Sequence, residues 1–181
     1  AAQVIREILP PFSAAWPNVV MELKMGPSNE LEEWIDRGKL DAAVVVQPKE
    51  KTSPNAQLLM STTPVWVGPL NNTVALETPL PLAVYAAPCI YRKAITASLK
   101  ASGRRSRIVL ESHSSKAVQA CVEAGLAVSL MDRGKVSGHM VILENMPTIP
   151  DHNIVFIRSA QSYGDEAVDL LSKALHQSFR L

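Results

Sequence analysis

Residues 26–47 read GPSNELEEWIDRGKLDAAVVVQ, and this stretch decides the fold class. The turn Gly26-Pro27-Ser28 opens a segment in which apolar residues recur at helical spacing, and Gly38 indicates a left-handed helix stop. Leu40–Gln47 follows as a nearly unbroken apolar run, which is typical of a strand covered on both faces in a parallel sheet. A helix that leads directly into such a strand predicts an α/β protein.

The same alternation of helix and strand continues on both sides of this stretch. Towards the N-terminus, residue periodicity predicts a helix over Ala1–Ala15 and a strand over Val19–Met25. Pro69–Pro81 and Asn145–Asp151 are rich in proline and read as connectors. The remaining predicted elements, in chain order, are an extended region Leu58–Gly68, strand Leu82–Ala86, helix Pro88–Ser102, strand Arg107–Glu111, helix Ser115–Ala124, strand Leu126–Met131, strand Ile154–Arg158 and helix Gly164–Phe179.

One local pattern occurs twice. The helix, glycine stop and apolar strand of Leu31–Val46 recur in Val118–Leu130, on the other side of the connector Pro69–Pro81. Two strand–helix lobes joined by two crossings would explain both proline-rich connectors. One continuous doubly wound sheet would produce the same pattern, so periodicity alone leaves both architectures open.

The composition is that of a globular protein. Apolar residues make up 47% of the 181 residues and charged residues 19%, with a formal net charge of +1. This balance argues against disorder, and the sequence has no basic stripe of the kind that binds nucleic acid. No apolar run is long enough to span a bilayer. Cys89 and Cys121 lack the spacing of a metal site or a disulfide framework, which favours a reducing cytoplasm.

The sequence offers no recognisable catalytic or metal-binding constellation. The four histidines are scattered, and there is no nucleophile elbow or glycine-rich phosphate loop. Asp132 follows a predicted strand, where a catalytic carboxylate could lie, but pairing with Arg133 explains it better. We therefore predict no catalytic residue, no metal and no cofactor.

Three strand-to-helix turns carry small polar residues: Gly26–Asn29, Ala86–Cys89 and Ser112–Ser115. Each would place hydroxyl and backbone N–H groups at a helix N-terminus, which is a favourable place for an anion. Serine and asparagine are also ordinary helix caps, so each turn alone is weak evidence of binding. Lys116 adds a positive charge beside the third turn.

The sequence motifs around these turns resemble those of a known protein family. The run Gly26–Leu31, followed by Gly38–Val44, resembles the signature G-x-S-x-x-L … G-x-L-D-x-A of the effector-binding domains of LysR-type transcriptional regulators. Further similar segments occur in the same order as in the family: Pro64–Gly68, Leu80–Arg92 and Ala120–Ser129, with Ala127 where glycine is usual.

This resemblance implies an α/β fold with two Rossmann-like lobes joined by two crossovers, like a type 2 periplasmic binding protein, with an effector in the cleft. Lobe I would comprise residues 1–78 and 147–181, and lobe II residues 79–146. The family's winged helix-turn-helix and linker helix, and the strand before the first lobe I helix, are absent from this sequence.

The resemblance also implies a set of partners and contact positions. The effector would be a small molecule, anionic or carboxylate-bearing, and the protein a homodimer or homotetramer in which Ala1–Ala15 contacts Ser115–Ala124 of a second copy. DNA would be bound only through the missing helix-turn-helix, and no membrane would be involved. The implied effector-binding positions are Ser28, Val46, Gln47, Ala86, Ala87, Pro88, Cys89, Ser112, His113, Ser114 and Met131.

Two other functions remain possible interpretations of the sequence. A transport-type solute-binding protein has the same fold, and so do enzymes of the prephenate dehydratase and deaminase kinds. The lack of an acid/base constellation argues against an enzyme. The motif set favours the regulator over the transport protein, and we expect effector sensing for the control of transcription.

Overall fold

The computed structural model describes residues 4–71 and 73–179, so the first three residues of the predicted helix Ala1–Ala15 lie outside the described residues. The chain forms two compact units. The first unit comprises residues 1–61 and 153–181, and the second comprises Thr62–His152. The chain therefore passes between the units twice, after Ser61 and after His152.

Five α-helices and eight strands are present in the described residues, together with a short π-helical segment Val4–Ile8 and several 3₁₀ turns. The helices are α1 (Leu9–Ala15), α2 (Ser28–Asp36), α3 (Ile90–Ala101), α4 (Ser115–Glu123) and α5 (Glu166–Ser178). The strands are β1 (Ala42–Pro48), β2 (Gln57–Thr62), β3 (Val65–Pro69), β4 (Leu80–Tyr85), β5 (Ser106–Ser112), β6 (Ser129–Met131), β7 (Met140–Ile142) and β8 (His152–Arg158).

The first unit is built on a three-stranded sheet in the order β1-β8-β2, so β1 is an edge strand. On one side, Leu31 of α2 packs with Val45 and Val155 of the sheet. A second apolar cluster joins the sheet to α5 and the N-terminal helical segment; its buried members are Ile8, Leu59, Phe156, Val168 and Leu175. These clusters remove the apolar faces of α2 and α5 from water, which is the main source of their stability.

The strands of the second unit form two ladders, β5-β4 and β6-β3-β7, which one parallel bridge joins in the order β5-β4-β6-β3-β7. β4 and β5 are parallel, and a parallel bridge between Leu82 and Val128 brings the chain leading into β6 to the other side of β4. β3 runs antiparallel to both β6 and β7. Helix α4 packs Val118 and Val122 into a core that also contains Met131. The carboxyl ends of β5, β4 and β6 consequently lie at one edge of this sheet.

Most predicted elements are confirmed with boundaries shifted by a few residues, but the strand predicted over Val19–Met25 is wrong. This segment has no regular secondary structure. Val19 donates its N–H to the carbonyl of Trp16, and Val20 and Met25 are 89% and 71% exposed. Alternating apolar and charged residues favour a strand, but a strand also needs a neighbouring chain for its backbone hydrogen bonds.

The extended region predicted over Leu58–Gly68 is two strands, β2 and β3, which belong to different units. Because β3 pairs with β6 and β7, the structure groups it with the second unit, whereas the lobe boundaries implied by the resemblance assign it to lobe I. The return to the first unit likewise follows His152 rather than Met146. Strand β7 was not anticipated from the sequence, because three residues are too few to display a period.

Candidate functional site

In the first unit, the structure brings two predicted site residues into contact. Ser28 is the first residue of α2, and its Oγ accepts a hydrogen bond from the N–H of Val46 at 3.0 Å. This bond ties the Gly26–Ser28 turn to β1, 18 residues further along the chain. The Ser28 hydroxyl keeps its own proton available for donation. Its first role in the structure is therefore to hold the turn against the strand.

Gln47 is occupied by contacts within the protein. Its side chain is buried, and its amide nitrogen donates to Oε1 of Glu32 at 2.6 Å and to Oγ of Ser53 at 3.3 Å. Its amide oxygen accepts from the N–H of Ser53 at 3.1 Å. Both amide protons are thus used, which leaves Gln47 little capacity for a ligand and gives it the role of anchoring the loop after β1.

In the second unit, the turns Ala86–Cys89 and Ser112–Ser114 lie side by side. Tyr85 and Ser112 are opposite each other at the ends of β4 and β5, and the N–H of Ala86 donates to the carbonyl of Ser112 at 3.0 Å. Ala87 and Pro88 are exposed, and Cys89 is half-buried at the N-cap of α3. Five of the predicted site residues, Ala86–Cys89 and Ser112, therefore lie at one edge of the sheet.

The Ser112–Ser114 turn is shaped by its own hydroxyl groups. Ser114 caps α4, its Oγ accepting from the N–H of Ala117 at 3.3 Å, and the Oγ of Ser112 accepts from the N–H of Ser114 at 3.1 Å. His113 is exposed. Both hydroxyl oxygens thus stabilise the turn as acceptors, and each O–H group can still donate a hydrogen bond to a ligand.

The first turn of α4 keeps backbone donors free. Within residues 4–71 and 73–179, the N–H groups of Ser115 and Lys116 have no hydrogen-bond acceptor. These are the groups that remain unsatisfied at a helix start and that carry the positive end of the helix dipole. The arrangement can therefore receive an anionic group at this end of the sheet.

Met131 ends β6, but its side chain is fully buried in the core with Val118 and Val122. Only its backbone can lie at the edge of the sheet. The residue that follows, Asp132, was interpreted from sequence as a structural partner of Arg133. The structure gives it different partners, since Tyr91 donates its hydroxyl to Oδ1 and Lys135 Nζ lies 3.8 Å from Oδ2.

Two tyrosines beside Asp132 were not singled out from the sequence. Burial, reinforced by the hydrogen bond to Asp132, raises the pKa of Tyr91 well above its usual value. Burial, together with the nearby Cys89 and Asp132, raises the pKa of Tyr85 to about 12. Both phenols therefore keep their protons at neutral pH. The Tyr85 hydroxyl is inaccessible to solvent and has no hydrogen-bond partner among the described residues.

Nothing in the sequence pattern marks this cluster, because Tyr85 and Asp132 are 47 positions apart and only the parallel pairing of β4 beside β6 brings them together. The one available signal is their position: Tyr85 is the last residue but one of the predicted strand Leu82–Ala86, and Asp132 directly follows the predicted strand Leu126–Met131. In the part of the chain that the structure describes, no group of three or more His, Cys, Asp or Glu side chains is arranged to hold a metal ion. No helix in those residues is long and apolar enough to cross a membrane.

The family model described as "LysR substrate binding domain" matches residues 1–180. A curated relative, the HTH-type transcriptional regulator DgdR of Burkholderia cepacia, is 27% identical over 146 residues, which cover 78% of this chain and 49% of the relative. The chain thus spans about half the length of that relative.

Solved structures share the fold. The C-terminal domain of a probable LysR family transcriptional regulator from Rhodococcus sp. RHA1 superimposes with a TM-score of 0.71 at 21% identity, covering 96% of this chain and 94% of that one. The effector-binding domain of QuiR, solved in complex with shikimate, gives a TM-score of 0.74 at 14% identity, covering 99% and 92%. The fold is accordingly of the type 2 periplasmic-binding-protein kind, and the chain belongs to the LysR substrate binding domain family.

Proposed function

We propose that this chain is the sensing domain of a LysR-type transcriptional regulator and that it binds a small effector through an anionic group, such as a carboxylate. The observation that carries the proposal is the start of α4, where the N–H groups of Ser115 and Lys116 have no acceptor among the described residues. Family membership and the shikimate complex of QuiR support it. The family is one of regulators, and the proposal treats the chain as a sensor rather than an enzyme or a transport protein.

The proposed contacts are those given by the turns. In the second unit they are Ser112, His113, Ser114 and the segment Ala86–Cys89, with the backbone of Met131 at the same edge. In the first unit the proposed contacts are Gln47 and the adjoining pair of Ser28 and Val46, which are hydrogen-bonded to each other. Gln47 stands as the weakest of the proposed contacts, since its amide is already hydrogen-bonded to Glu32 and Ser53.

The proposal is tested by a thermal-shift screen of small aromatic and aliphatic carboxylic acids against the 181-residue chain. A ligand present at 100 times its Kd stabilises the folded state by about 2.7 kcal/mol, which is readily detected. Failure of every acid to raise the melting temperature at millimolar concentration would argue against a carboxylate effector.

Any acid found in the screen then identifies the subsite. Ser114→Ala removes a hydroxyl from the α4 turn, and we expect it to weaken binding about tenfold, as loss of a hydrogen bond to a charged group does. Asp165→Ala is the matched control, since Asp165 also caps a helix, accepting from the N–H groups of Ala167 and Val168, but belongs to none of the proposed turns. Both variants should lose about 1 kcal/mol of stability. Equal affinity in the two variants would contradict the assignment of the α4 turn.

We propose further that the chain self-associates, with the segment Ala1–Ala15 of one copy against Ser115–Ala124 of a second copy in a two-fold interface. The exposed residue Ala120 lies on α4, so Ala120→Arg should shift the chain towards monomer in light scattering. Ala97→Arg is the control, because Ala97 is an equally small, exposed residue on α3. A chain that is already monomeric at high micromolar concentration would contradict the proposal.

In the cell, we propose that the domain acts in the cytoplasm, where its two free cysteines stay reduced. We also propose that DNA is bound through a helix-turn-helix elsewhere in the regulator, because this chain has a net charge of only +1. The relative DgdR is itself named an HTH-type regulator. Sequence-specific binding of DNA by this chain alone in a low-salt gel shift would contradict this.

A further inference from the structure

Helix α3 begins without the usual local stabilisation. Its N-cap residue, Cys89, makes no side-chain cap hydrogen bond, and its first turn contains no acidic residue. The helix instead begins with Arg92 and Lys93 close to its N-terminus, where positive charges oppose the helix dipole. By contrast, Asp165 caps α5 and Glu166 lies in its first turn. Contacts with the rest of the second unit must therefore fix the start of α3.

Two neighbouring residues of α3 contact the ends of three strands. Arg92 Nη1 lies 2.8 Å from Oε2 of Glu111, near the end of β5, and 3.5 Å from the carbonyl oxygen of Tyr85, which ends β4. Tyr91 donates its hydroxyl to Oδ1 of Asp132, which directly follows β6. Successive side chains on a helix point about 100° apart, so neighbours can reach in different directions. The first turn of α3 thus connects β5 and β6 across β4.

The two contacts differ in how far water reaches them. Tyr91 is 7% exposed, and its ring packs edge-on against His152. The side chains of Arg92 and Glu111 are 24% and 46% exposed, and an ion pair of this kind adds little to the free energy of unfolding. The Arg92 contact is therefore better placed to fix the local arrangement of the strand ends than to stabilise the whole unit.

The same strand ends carry the proposed effector contacts of the second unit. These are Ala86–Cys89 after β4, Ser112–Ser114 at the end of β5 and the backbone of Met131 at the end of β6. Contacts that are held in place before binding lose less conformational freedom when a ligand arrives.

We infer that Tyr91 and Arg92 are positioning residues of the proposed effector site, which hold the ends of β5, β4 and β6 in the arrangement that binds. This inference rests on the proposed function, because it takes the turns at these strand ends as the place of binding. It adds two residues of α3 that act on the site through Asp132 and Glu111 rather than by contact with the effector.

Amide hydrogen exchange in the 181-residue chain tests the contact of Arg92. The reporter is the N–H of Ala86, which donates to the carbonyl of Ser112 at 3.0 Å and joins the ends of β4 and β5. Arg92→Gln removes the charge, and we expect this N–H to exchange about threefold faster. Lys93→Gln is the matched control and should leave that rate unchanged, because Lys93 is exposed and has no ion pair among the described residues.

Tyr91→Phe tests the other contact by removing only the hydroxyl. The reporter is the N–H of Lys135, which donates to the carbonyl of Asp132 at 2.9 Å, and we expect it to exchange about tenfold faster. The N–H of Ala83, hydrogen-bonded inside the sheet, separates local from general loss of structure. The rate at Lys135 should therefore rise at least threefold more than the rate at Ala83.

A charge exchange shows whether the pairing itself matters. Arg92→Glu and Glu111→Arg each place two like charges together and should speed the exchange of the Ala86 N–H more than Arg92→Gln does. The double variant restores an opposite pair, and its rate should return to within about twofold of the unchanged chain. No such recovery would mean that Arg92 acts through its bulk rather than through Glu111, and the inference would be overturned for this contact.

Calorimetric titration with benzoate, succinate and shikimate then connects the strand ends with binding. An acid that binds should bind about threefold more weakly to Arg92→Gln and to Tyr91→Phe, and equally well to Lys93→Gln. Equal affinities in all three variants, or exchange at both reporters that rises no more than at Ala83, overturn the inference while the sensing of an acid stands. If no acid of the wider screen binds, the proposed function falls and the inference falls with it.

Discussion

The same local pattern of helix, glycine and strand occurs once in each unit, with different results. In the first unit, α2 leads through Gly38 to β1, which is an edge strand with several half-buried side chains. In the second unit, α4 leads through Gly125 to β6, whose three residues are all fully buried. The local sequence determines the helix and its stop in both cases, but the neighbours of the strand determine how deeply it is buried.

The turns that begin the two helices also differ. Ser28 accepts its hydrogen bond from Val46, far along the chain, so this turn is tied to the sheet. Ser114 accepts from Ala117, within its own helix, so this turn is stabilised locally. Because the Ser114 turn is stabilised within its own helix, the N–H groups of Ser115 and Lys116 remain available to a ligand, which is consistent with the proposed anion position in the second unit.

The largest expected effect comes from truncating a leucine in each copy of the pattern. Leu130 in β6 is fully buried, and Leu31 in α2 is 9% exposed. Leu130→Ala should lower the free energy of unfolding by about 4 kcal/mol and Leu31→Ala by about 2 kcal/mol, because the deeper site leaves the larger cavity. Urea unfolding followed by circular dichroism measures both. A greater loss in Leu31→Ala would reverse the comparison.

A smaller effect is expected where the first turn is tied to its sheet. Ser28→Ala leaves the Val46 N–H without its acceptor and should cost about 2 kcal/mol, whereas the loss of the local cap in Ser114→Ala should cost about 1 kcal/mol. Ser28→Thr retains the hydroxyl and serves as the control. If Ser28→Ala costs no more than Ser114→Ala, the long-range bond does not distinguish the two turns.

Much of the fold could be predicted from the sequence, because the helices display their period over seven or more residues and most buried strands are short apolar runs. The prediction failed for Val19–Met25, where the period is present but no partner strand is. It also missed the division between β2 and β3, since sequence does not reveal which sheet a strand joins. Pairing between distant strands is a tertiary property and leaves little local signal.

The candidate site was less predictable than the fold. The turns were found because serine and glycine stand at the ends of predicted elements, yet the sequence could not show that the Gln47 amide is occupied or that the Met131 side chain lies in the core. The position of Asp132 after a predicted strand is visible in the sequence, but its predicted pairing with Arg133 is wrong. Its contact with Tyr91 depends on the packing of α3 beside β6, which no spacing along the chain encodes.

The two glycine stops provide a finer comparison. Gly38 and Gly125 have φ angles of +64° and +79°, a conformation that strains any residue with a Cβ. A Cβ at Gly38 would also collide with Oε1 of Gln161, while at Gly125 it would meet nothing within 4 Å. We expect losses of about 1.5 kcal/mol for Gly38→Ala and about 1 kcal/mol for Gly125→Ala, because the exposed Gln161 side chain can move aside.

Gly134→Ala is the control for both glycine variants, since Gly134 has no positive φ and open space around it. It should be neutral in the same thermal unfolding measurement. A loss at Gly134 as large as at Gly125 would show that backbone strain is not the cause. Equal losses at Gly38 and Gly125 would show that Gln161 adds nothing to the first stop.

The smallest expected effect is a pH dependence that belongs to the second unit. His152 is 1% exposed, its ring packs edge-on against Tyr91 with centroids 5.5 Å apart, and its Nδ1 lies 2.9 Å from the Pro150 carbonyl. Burial lowers the pKa of His152, although the Pro150 carbonyl, Asp132 and Asp151 act in the opposite direction.

The sign of the effect follows from the proton bound by each state. As the pH falls below about 6.5, the unfolded chain protonates this histidine first, because the folded state holds it neutral to a lower pH. The contribution of neutral His152 to the free energy of unfolding is therefore fully present above that pH and is lost as the pH falls through the pKa of the folded state.

His152→Gln should flatten this decline in the melting temperature between pH 7 and pH 5. Fluorescence of Trp66, which lies in the second unit, in a Trp16→Phe/Trp34→Phe background assigns the change to that unit. A decline of unchanged slope in His152→Gln would mean that other groups cause the acid sensitivity.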